Sequence, residues 1–297
     1  MPRLAHLRRL DDKSHLVDGA DAGGSIPRPH RVLGVVGPGG APGRTFVSLN
    51  LATALAEDGV RVALIEAGSG LGTVALRLNL KEDRSLAYLA HEAKVRALDR
   101  ELLERHLQRR GPLDVLGGNF EPGAPGDVSP EILDALIVLL GVDHELIVVD
   151  VGPLESHLAV AHALRCQTLC WVVSPTPVGV DLFDRVVRSA LANPLRAKPS
   201  LAVLNGAGPD TLVVSDAAFL RRYGIPLVAT IPFNRGACLR ADSAQRAAVT
   251  EGQLRLPLRA ATRAVAAQVF RGLSSDPVPE AGRTLAAGSM ERSGVNS

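Results

Sequence analysis

The chain has 297 residues, 46% of them apolar, which is enough for one large domain or two smaller ones and excludes a disordered or fibrous chain. The 33 Lys and Arg residues nearly balance the 31 Asp and Glu residues, so the net charge of +2 excludes a globally basic nucleic-acid binder. Aromatic residues make up only 3% of the chain, which argues against a surface that stacks nucleic-acid bases.

The two ends of the chain differ in composition from its centre. Residues 1–30 mix Asp, Arg, Gly, Pro and Ser without a sustained hydrophobic period, and residues 274–297 do the same. Because neither segment can bury enough apolar surface to offset its ordering entropy, we predict two disordered tails around a folded unit of 31–273. The sequence shows neither a secretory signal nor an apolar run of about 18 residues, so we expect a cytoplasmic protein.

Seven short apolar runs alternate with longer helical patterns within the folded unit. The runs cover residues 32–36, 60–65, 113–116, 145–150, 168–173, 201–205 and 227–232. Several are apolar without alternation, which is typical of strands covered on both faces by helices. Between them, Thr45–Ala56 is apolar at helical spacing and Gly59 is placed to end that helix, while the charged stretch Glu92–Arg110 predicts one solvated helix. We predict an α/β fold with a doubly wound, mostly parallel sheet.

The segment after the first run is rich in glycine and proline. Residues 35–46 read VVGPGGAPGRTF, a strand, a turn and the start of a helix. Backbone amides at such a turn, backed by the positive end of the helix dipole, form an anion site. Compared with the phosphate-loop pattern G-x-x-x-x-G-K-[ST], the segment 38–45 has the right length and the right final glycine and threonine, but it begins with Pro38 and carries Arg44 in place of the lysine. The candidate phosphate-binding residues are Gly39, Gly40, Ala41, Gly43, Arg44, Thr45 and Phe46.

The order of motifs along 31–273 resembles the ParA/MinD family of deviant-Walker ATPases, most closely its CpaE/TadZ-type pilus-assembly branch. Residues 50–56 (NLATALA) resemble the family helix N-L-A-x-x-L-A, and residues 62–68 (VALIEAG) stand where the family has V-L-L-I-D-A-D. Residues 147–153 (IVVDVGP) resemble the Walker B strand and switch. Leu204-Asn205 and residues 231–233 (IPF) resemble the family's strand-end L-N and its late I-P loop.

The resemblance implies ATP and Mg²⁺ as cofactors. It implies that the Thr45 hydroxyl and the Asp150 carboxylate hold the metal, a hard cation that prefers oxygen ligands. It further implies that Asn205 binds the adenine edge and that Pro232 belongs to the nucleotide site. Each of these residues also has a structural interpretation: Thr45 as the start of a helix, Asp150 as a strand-end carboxylate bonded to loops, and Asn205 as a turn residue.

Besides Pro38, four positions depart from the family pattern. Arg44 keeps the positive charge of the phosphate-loop lysine but is longer and forked. Gly39 occupies the place of the family's signature lysine, which reaches across the dimer. Where the family has two aspartates, this chain has Glu66 and Gly68, and only Glu66 remains as a candidate catalytic residue. Since phosphoryl transfer depends on positioning and charge, we predict nucleotide binding with weak or lost hydrolysis.

The matches and departures together predict a dimerising, ATP-binding factor that positions or recruits a partner machine at a membrane or septum. Its setting would be pilus assembly or secretion, septum placement or chromosome partitioning. The alternative is a non-catalytic scaffold that no longer binds nucleotide productively. A third hypothesis, a small-molecule enzyme of related fold, calls for a substrate pocket or metal-binding cysteines. The spacing of Cys166, Cys170 and Cys238 instead predicts buried, reduced thiols.

The region Arg235–Arg271 holds seven arginines and two acidic residues. By the resemblance it is a candidate surface for non-specific DNA binding, and the alternative is a solvated arginine-rich face. Four apolar residues at helical spacing fall inside the region: Leu258, Ala261, Val265 and Val269. Because this segment is rich in alanine, we interpret it as a last core helix and do not expect it to insert into a membrane.

Overall fold

The computed structural model describes residues 30–40, 42–68, 70–120, 128–208, 218–250 and 252–271. The two predicted tails, apart from His30, therefore lie outside the described residues. Within the described part of the chain, no helix is both long and apolar enough to cross a membrane.

Eight strands form one sheet in the order β3-β4-β2-β5-β1-β6-β7-β8. Their bounds are β1 (Arg31–Gly37), β2 (Val62–Glu66), β3 (Gln108–Arg110), β4 (Leu113–Leu116), β5 (Leu146–Pro153), β6 (Thr168–Val173), β7 (Ser200–Ala207) and β8 (Leu227–Pro232). Neighbouring strands are parallel except β3, which runs antiparallel to β4 at one edge. The seven predicted strands and the mostly parallel sheet are confirmed.

Ten α-helices lie within the described residues; eight of them fall between strands, and α9 and α10 follow β8. Their bounds are α1 (Arg44–Glu57), α2 (Val74–Leu78), α3 (Leu86–Glu92), α4 (Arg100–His106), α5 (Pro130–Gly141), α6 (His157–Arg165), α7 (Pro177–Arg188), α8 (Ala218–Arg222), α9 (Arg235–Ser243) and α10 (Arg255–Val269). The predicted helix 45–56 is confirmed as α1, and Gly59 follows its end with φ 91°, the left-handed conformation that glycine adopts without strain.

The prediction of one solvated helix over Glu92–Arg110 is wrong. The stretch contains the end of α3, a turn, α4 and the edge strand β3. A second helix begins at Arg100 because the Asp99 carboxylate accepts a hydrogen bond from the Leu102 amide at 2.8 Å and so caps a new N-terminus. Leu102 and Leu103 are buried against the core, so this charged segment is also less solvated than its composition suggests.

Two apolar layers cover the two faces of the sheet. Strand β1 lies between β5 and β6, and its side chains alternate between the layers, with Val32 and Val36 in one and Leu33 and Val35 in the other. The second layer includes α1 and α10. The four apolar residues of α10 named above are buried in it, which confirms the interpretation of a last core helix.

A buried asparagine ties α1 to the later part of the chain. The Asn50 side-chain oxygen accepts a hydrogen bond from the Val249 amide at 2.7 Å, and its Nδ2 donates to the Phe46 carbonyl at 2.7 Å. Both polar ends of this buried side chain are therefore satisfied, as burial requires. The helix that follows the glycine-rich loop is held from its buried side.

The strand order brings the sequence motifs to one edge of the sheet. Asp150 pairs in register with Val35 of β1 and with Glu66 of β2. The carboxyl ends of these parallel strands and the loop after β1 therefore lie together. They lie at the topological switch point, where successive strands stop being added on one side of β1 and begin to be added on the other. Crevices at such switch points are the usual ligand sites of doubly wound sheets.

Candidate functional site

The glycine-rich loop between β1 and α1 depends on left-handed backbone conformations. Gly40 has φ 74° and Gly43 has φ 88°, which residues with a side chain rarely adopt. Gly43 is the N-cap of α1 and no side chain caps that helix end, so the first amides of the helix are open to an anion. Ala41 lies outside the described residues.

Asn205 fastens this loop from the end of β7. Its Nδ2 donates a hydrogen bond to the Pro42 carbonyl at 2.9 Å, and a Cβ on Gly43 would lie only 2.2 Å from the same nitrogen. Position 43 therefore needs glycine for two reasons, its φ angle and this contact. The expected adenine contact of Asn205 stays a prediction, since the amide group here supports the loop. Pro232, also predicted to belong to the nucleotide site, is exposed and lies opposite Ala207 at the end of β8.

Asp150 is a buried acidic residue beneath the loop, with 2% of its surface exposed. Burial raises the pKa of its carboxyl group, while hydrogen bonds from the Thr45 and Ser48 hydroxyls and the charge of Arg44 act in the opposite direction. Among the described residues, its Oδ1 atom has no hydrogen-bond partner. A buried carboxylate oxygen without a partner, beside a threonine hydroxyl, is a donor set that suits Mg²⁺.

Arg44 occupies the place of the phosphate-loop lysine, but it is turned back onto its own loop. Its Nη1 donates a hydrogen bond to the Pro38 carbonyl, and its charge interacts with the carboxylates of Asp150 and Glu155. Burial lowers the pKa of the guanidinium, and the two carboxylates oppose that shift. The cation is thus retained at the loop, within an internal cluster of charges.

Glu66 is 5% exposed, and both of its carboxylate oxygens accept hydrogen bonds from backbone amides. Oε1 accepts from Thr73 at 2.8 Å, Oε2 accepts from Gly118 at 2.9 Å, and the Val74 amide is 3.3 Å from both oxygens. Burial, with the charge of Asp150 adding to it, raises the pKa of Glu66. These contacts favour a structural role for Glu66, anchoring the start of α2, and its role in catalysis stays a prediction.

Gly68, which also departs from the family pattern, follows β2 and lies against another glycine, Gly152. A Cβ on Gly152 would lie 3.1 Å from the Cα atom of Gly68, and Gly152 has φ 85°. The segments that follow β2 and β5 therefore touch through backbone atoms. No carboxylate stands at position 68 to orient a water molecule.

Glu155 also lies at the site, although it is not among the residues predicted from the sequence. It lies in the loop after β5, and its Oε1 accepts a hydrogen bond from the Gly39 amide at 2.9 Å. A Cβ on Gly39 would lie 2.0 Å from that oxygen. The available signal was positional: in a parallel sheet, the loop that follows β5 reaches the same edge as the loop that follows β1.

The structure therefore assembles most of the predicted residues in one place. Gly39, Gly40, Gly43, Arg44 and Thr45 form one loop and helix start, Asp150 lies beneath them, and Phe46 packs partly into the core. A glycine-rich loop after the central strand, an uncapped helix start and a strand-end aspartate define a P-loop nucleotide-binding domain. Residues 33–245 match the family described as the CobQ/CobB/MinD/ParA nucleotide binding domain, and the chain belongs to that family.

Three similar proteins illustrate the relationship. The Guillardia theta protein named as a septum site-determining protein MinD is 29% identical over 217 residues, which is 68% of this chain and 75% of that protein. The MinD of Pyrococcus horikoshii, solved as a complex with Mg-ADP, has a TM-score of 0.68 at 20% identity and covers 83% of this chain and 99% of its own. The MinC:MinD complex of Aquifex aeolicus has a TM-score of 0.65 at 18% identity, over 80% and 96%. At these identities the two solved structures establish the fold alone.

Proposed function

We propose that this protein binds ATP with Mg²⁺ in the crevice at the ends of β1 and β5, and that the nucleotide controls its association with a second copy and a partner. The observation that carries the proposal is the orphaned, buried Oδ1 atom of Asp150 beside the Thr45 hydroxyl, directly under the glycine-rich loop. A buried carboxylate without a full set of partners is costly, and a cation would satisfy it.

Different groups of the site would bind the phosphates and the metal. The open amides at the start of α1 and the loop glycines would face the phosphates, while Thr45 and Asp150 would hold the metal. When bound, the metal would neutralise part of the negative charge of the phosphates. Arg44 would contribute positive charge, provided that its guanidinium leaves the Pro38 carbonyl.

Hydrolysis is expected to be weak or absent. Position 68 has no carboxylate, and Glu66 is engaged with three backbone amides. A water molecule at the phosphate would therefore lack an orienting base, and positioning accounts for most of the rate enhancement in phosphoryl transfer. The protein would act as a nucleotide-dependent positioning or recruitment factor more than as a rapid ATPase.

The relatives support a role in placing other machinery. One is a septum site-determining protein, and another was solved together with MinC. For this chain we propose a homodimer that recruits a protein partner at a membrane or septum, with pilus assembly or secretion, septum placement and chromosome partitioning as the settings to test. The CpaE/TadZ-type assignment belongs to this proposal.

The arginine-rich region is a weaker candidate for contact with DNA. Arg235 and Arg240 on α9 and Arg255 and Arg263 on α10 are exposed. Arg259, in contrast, forms ion pairs with Glu57 and Asp58. The basic surface is thus smaller than the sequence count suggests, and it is proposed only as a site of non-specific, salt-dependent binding.

The proposal is tested by titration calorimetry of ATP with and without Mg²⁺. We expect metal-dependent binding that Thr45→Ala weakens at least tenfold, the cost of about 1.4 kcal/mol for one lost interaction. Thr53→Ala is the matched control, because Thr53 lies on the same helix, away from the loop. Absence of binding to any adenine nucleotide in the presence of Mg²⁺ would overturn the proposal.

The second candidate function is a scaffold that keeps the fold without using nucleotide. It is favoured by the hydrogen bonds that the loop already makes within the protein. The Gly39 amide donates to the Glu155 carboxylate, and the Asn205 side chain donates to the Pro42 carbonyl. Light scattering separates the two functions. A nucleotide-controlled factor changes its molar mass when ATP and Mg²⁺ are added, whereas a scaffold keeps one oligomeric state under both conditions.

A further inference from the structure

We propose that Glu155 is an internal anion that occupies the phosphate-binding loop of the free protein and must leave it before nucleotide can bind. This inference rests on the proposed function, because it concerns the affinity of the same site. Glu155 would therefore set the nucleotide affinity of this protein without taking part in chemistry.

The first observation is the hydrogen bond from the Gly39 amide to Glu155 Oε1 at 2.9 Å. In a phosphate loop, the backbone N–H groups are the donors that a phosphate oxygen uses. A carboxylate oxygen resembles a phosphate oxygen in charge and in accepting capacity. One N–H cannot fully serve both, so the carboxylate and the phosphate compete.

The second observation concerns the space around Gly39. A Cβ at this position would lie 2.0 Å from Glu155 Oε1 and 2.9 Å from its Cδ atom. The backbone at Gly39 is not in the left-handed region, so a side chain there would clash with the Glu155 carboxylate but would not strain the backbone. Because Glu155 is exposed and the clash involves only the carboxylate at the end of its side chain, a residue larger than glycine would displace that carboxylate at little cost. The Glu155 carboxylate can therefore reach the Gly39 amide only because residue 39 has no side chain.

The third observation is electrostatic. Arg44 interacts with two carboxylates, those of Asp150 and Glu155. Asp150 is the expected metal ligand and stays in place, but the charge of Glu155 offsets the loop's single cation and repels an incoming phosphate. Two like charges near a protein surface repel enough to change affinity by roughly tenfold at low salt, and salt screens this effect.

These observations make three variants informative. Glu155→Gln removes the charge and keeps an acceptor for the Gly39 amide, whereas Glu155→Ala removes both. Gly39→Ala leaves the glutamate in the chain but drives its carboxylate out of the loop. Glu82→Gln is the control, since Glu82 is an exposed glutamate on a different loop, after α2.

The experiment is calorimetric titration of the full chain with ATP and Mg²⁺ at low and high salt. We expect Glu155→Ala and Gly39→Ala each to lower the Kd by about tenfold at low salt, Glu155→Gln to lower it nearly as much, and the differences to shrink at high salt. The double variant Gly39→Ala/Glu155→Ala should bind no more tightly than the single variants, because both changes remove the same contact. Glu82→Gln should leave the Kd unchanged.

Two results would overturn the inference, and they are distinguishable. If the wild-type protein binds ATP and the Glu155 variants bind it no more tightly, Glu155 does not compete for the loop and the proposed function stands. If neither the wild type nor any variant binds ATP while all melt cooperatively, the proposed function and this inference fail together.

Discussion

The substitution Asp150→Asn probes the buried carboxylate of the site most directly. Burial raises the pKa of Asp150, so its ionised form is less favourable in the folded protein than in the unfolded chain. The neutral amide has nearly the same shape. We therefore expect Asp150→Asn to stabilise the protein when no nucleotide is present, an unusual result for a change at a functional position.

The size of the effect follows from the orphaned Oδ1 atom. Leaving one buried polar atom unpaired costs about 1–3 kcal/mol, and more when the group is charged; Asn keeps a polar atom at this place but removes the charge, so part of this cost should be recovered. For a domain of this size, 1 kcal/mol shifts the melting temperature by about 2–4 °C, so we expect a rise of about 2–10 °C. Since the pKa is raised, the contribution of Asp150 to stability is lost as pH rises through its folded-state pKa. The gain from Asn should therefore be largest at neutral pH and vanish in acid.

Thermal unfolding followed by circular dichroism from pH 4 to pH 8 measures the gain. Asp134→Asn is the control, because the Asp134 side chain is 54% exposed and pairs only at the surface with Arg165, so its loss should shift the melting temperature little. With ATP and Mg²⁺ the order should reverse, since the wild type gains ligand stabilisation that Asp150→Asn lacks, and EDTA should remove that gain. A variant that melts lower than the wild type at pH 8 without nucleotide would refute the reasoning.

Three further outcomes are expected. Glu66→Ala should lower the free energy of unfolding by about 2–4 kcal/mol in urea titrations, because three backbone amides lose their acceptor, and an unchanged midpoint would contradict that role. Asn205→Ala should weaken the binding of ATP and GTP equally if Asn205 acts through the loop, whereas a loss confined to ATP would show an adenine contact. Burial raises the pKa of the Cys166 and Cys170 thiols to about 12, so mass spectrometry after iodoacetamide at pH 8 should find the half-buried Cys238 alkylated first, and early labelling of either buried thiol would oppose this.

The central strands could be predicted because burial on both faces leaves a mark in the sequence. Continuous apolar runs such as 32–36 and 146–149 have few explanations other than a covered strand. Strand β3, with the residues Gln108–Arg110, escaped prediction because an edge strand with polar side chains has no hydrophobic period. The division of Glu92–Arg110 depended on the cap at Asp99, which a pattern of charges cannot reveal.

The location of the site could also be predicted, but its internal contacts could not. The turn at 38–43 and the strand-end Asp150 carry local signals, namely glycine, proline and a break in an apolar run. The hydrogen bonds of Glu155 to Gly39 and of Asn205 to Pro42 join positions 116 and 163 residues apart. Such pairings arise only from the strand order. Glu66 shows the same limit, since its alignment with a family aspartate did not reveal the amides that surround it.

The place of α10 has a consequence for shortened versions of this protein. The family match ends at residue 245, yet α10 packs on α1 and β8, and the Val249 amide is bonded to Asn50 on the helix that leaves the glycine-rich loop. A truncation at the family boundary would strip an apolar cover from that helix and leave a buried side-chain oxygen without its donor, so the fragment should aggregate. The part of the chain that the family model matches is therefore smaller than the part that packs as one unit, and we expect expression of the nucleotide-binding unit to require residues through Val269.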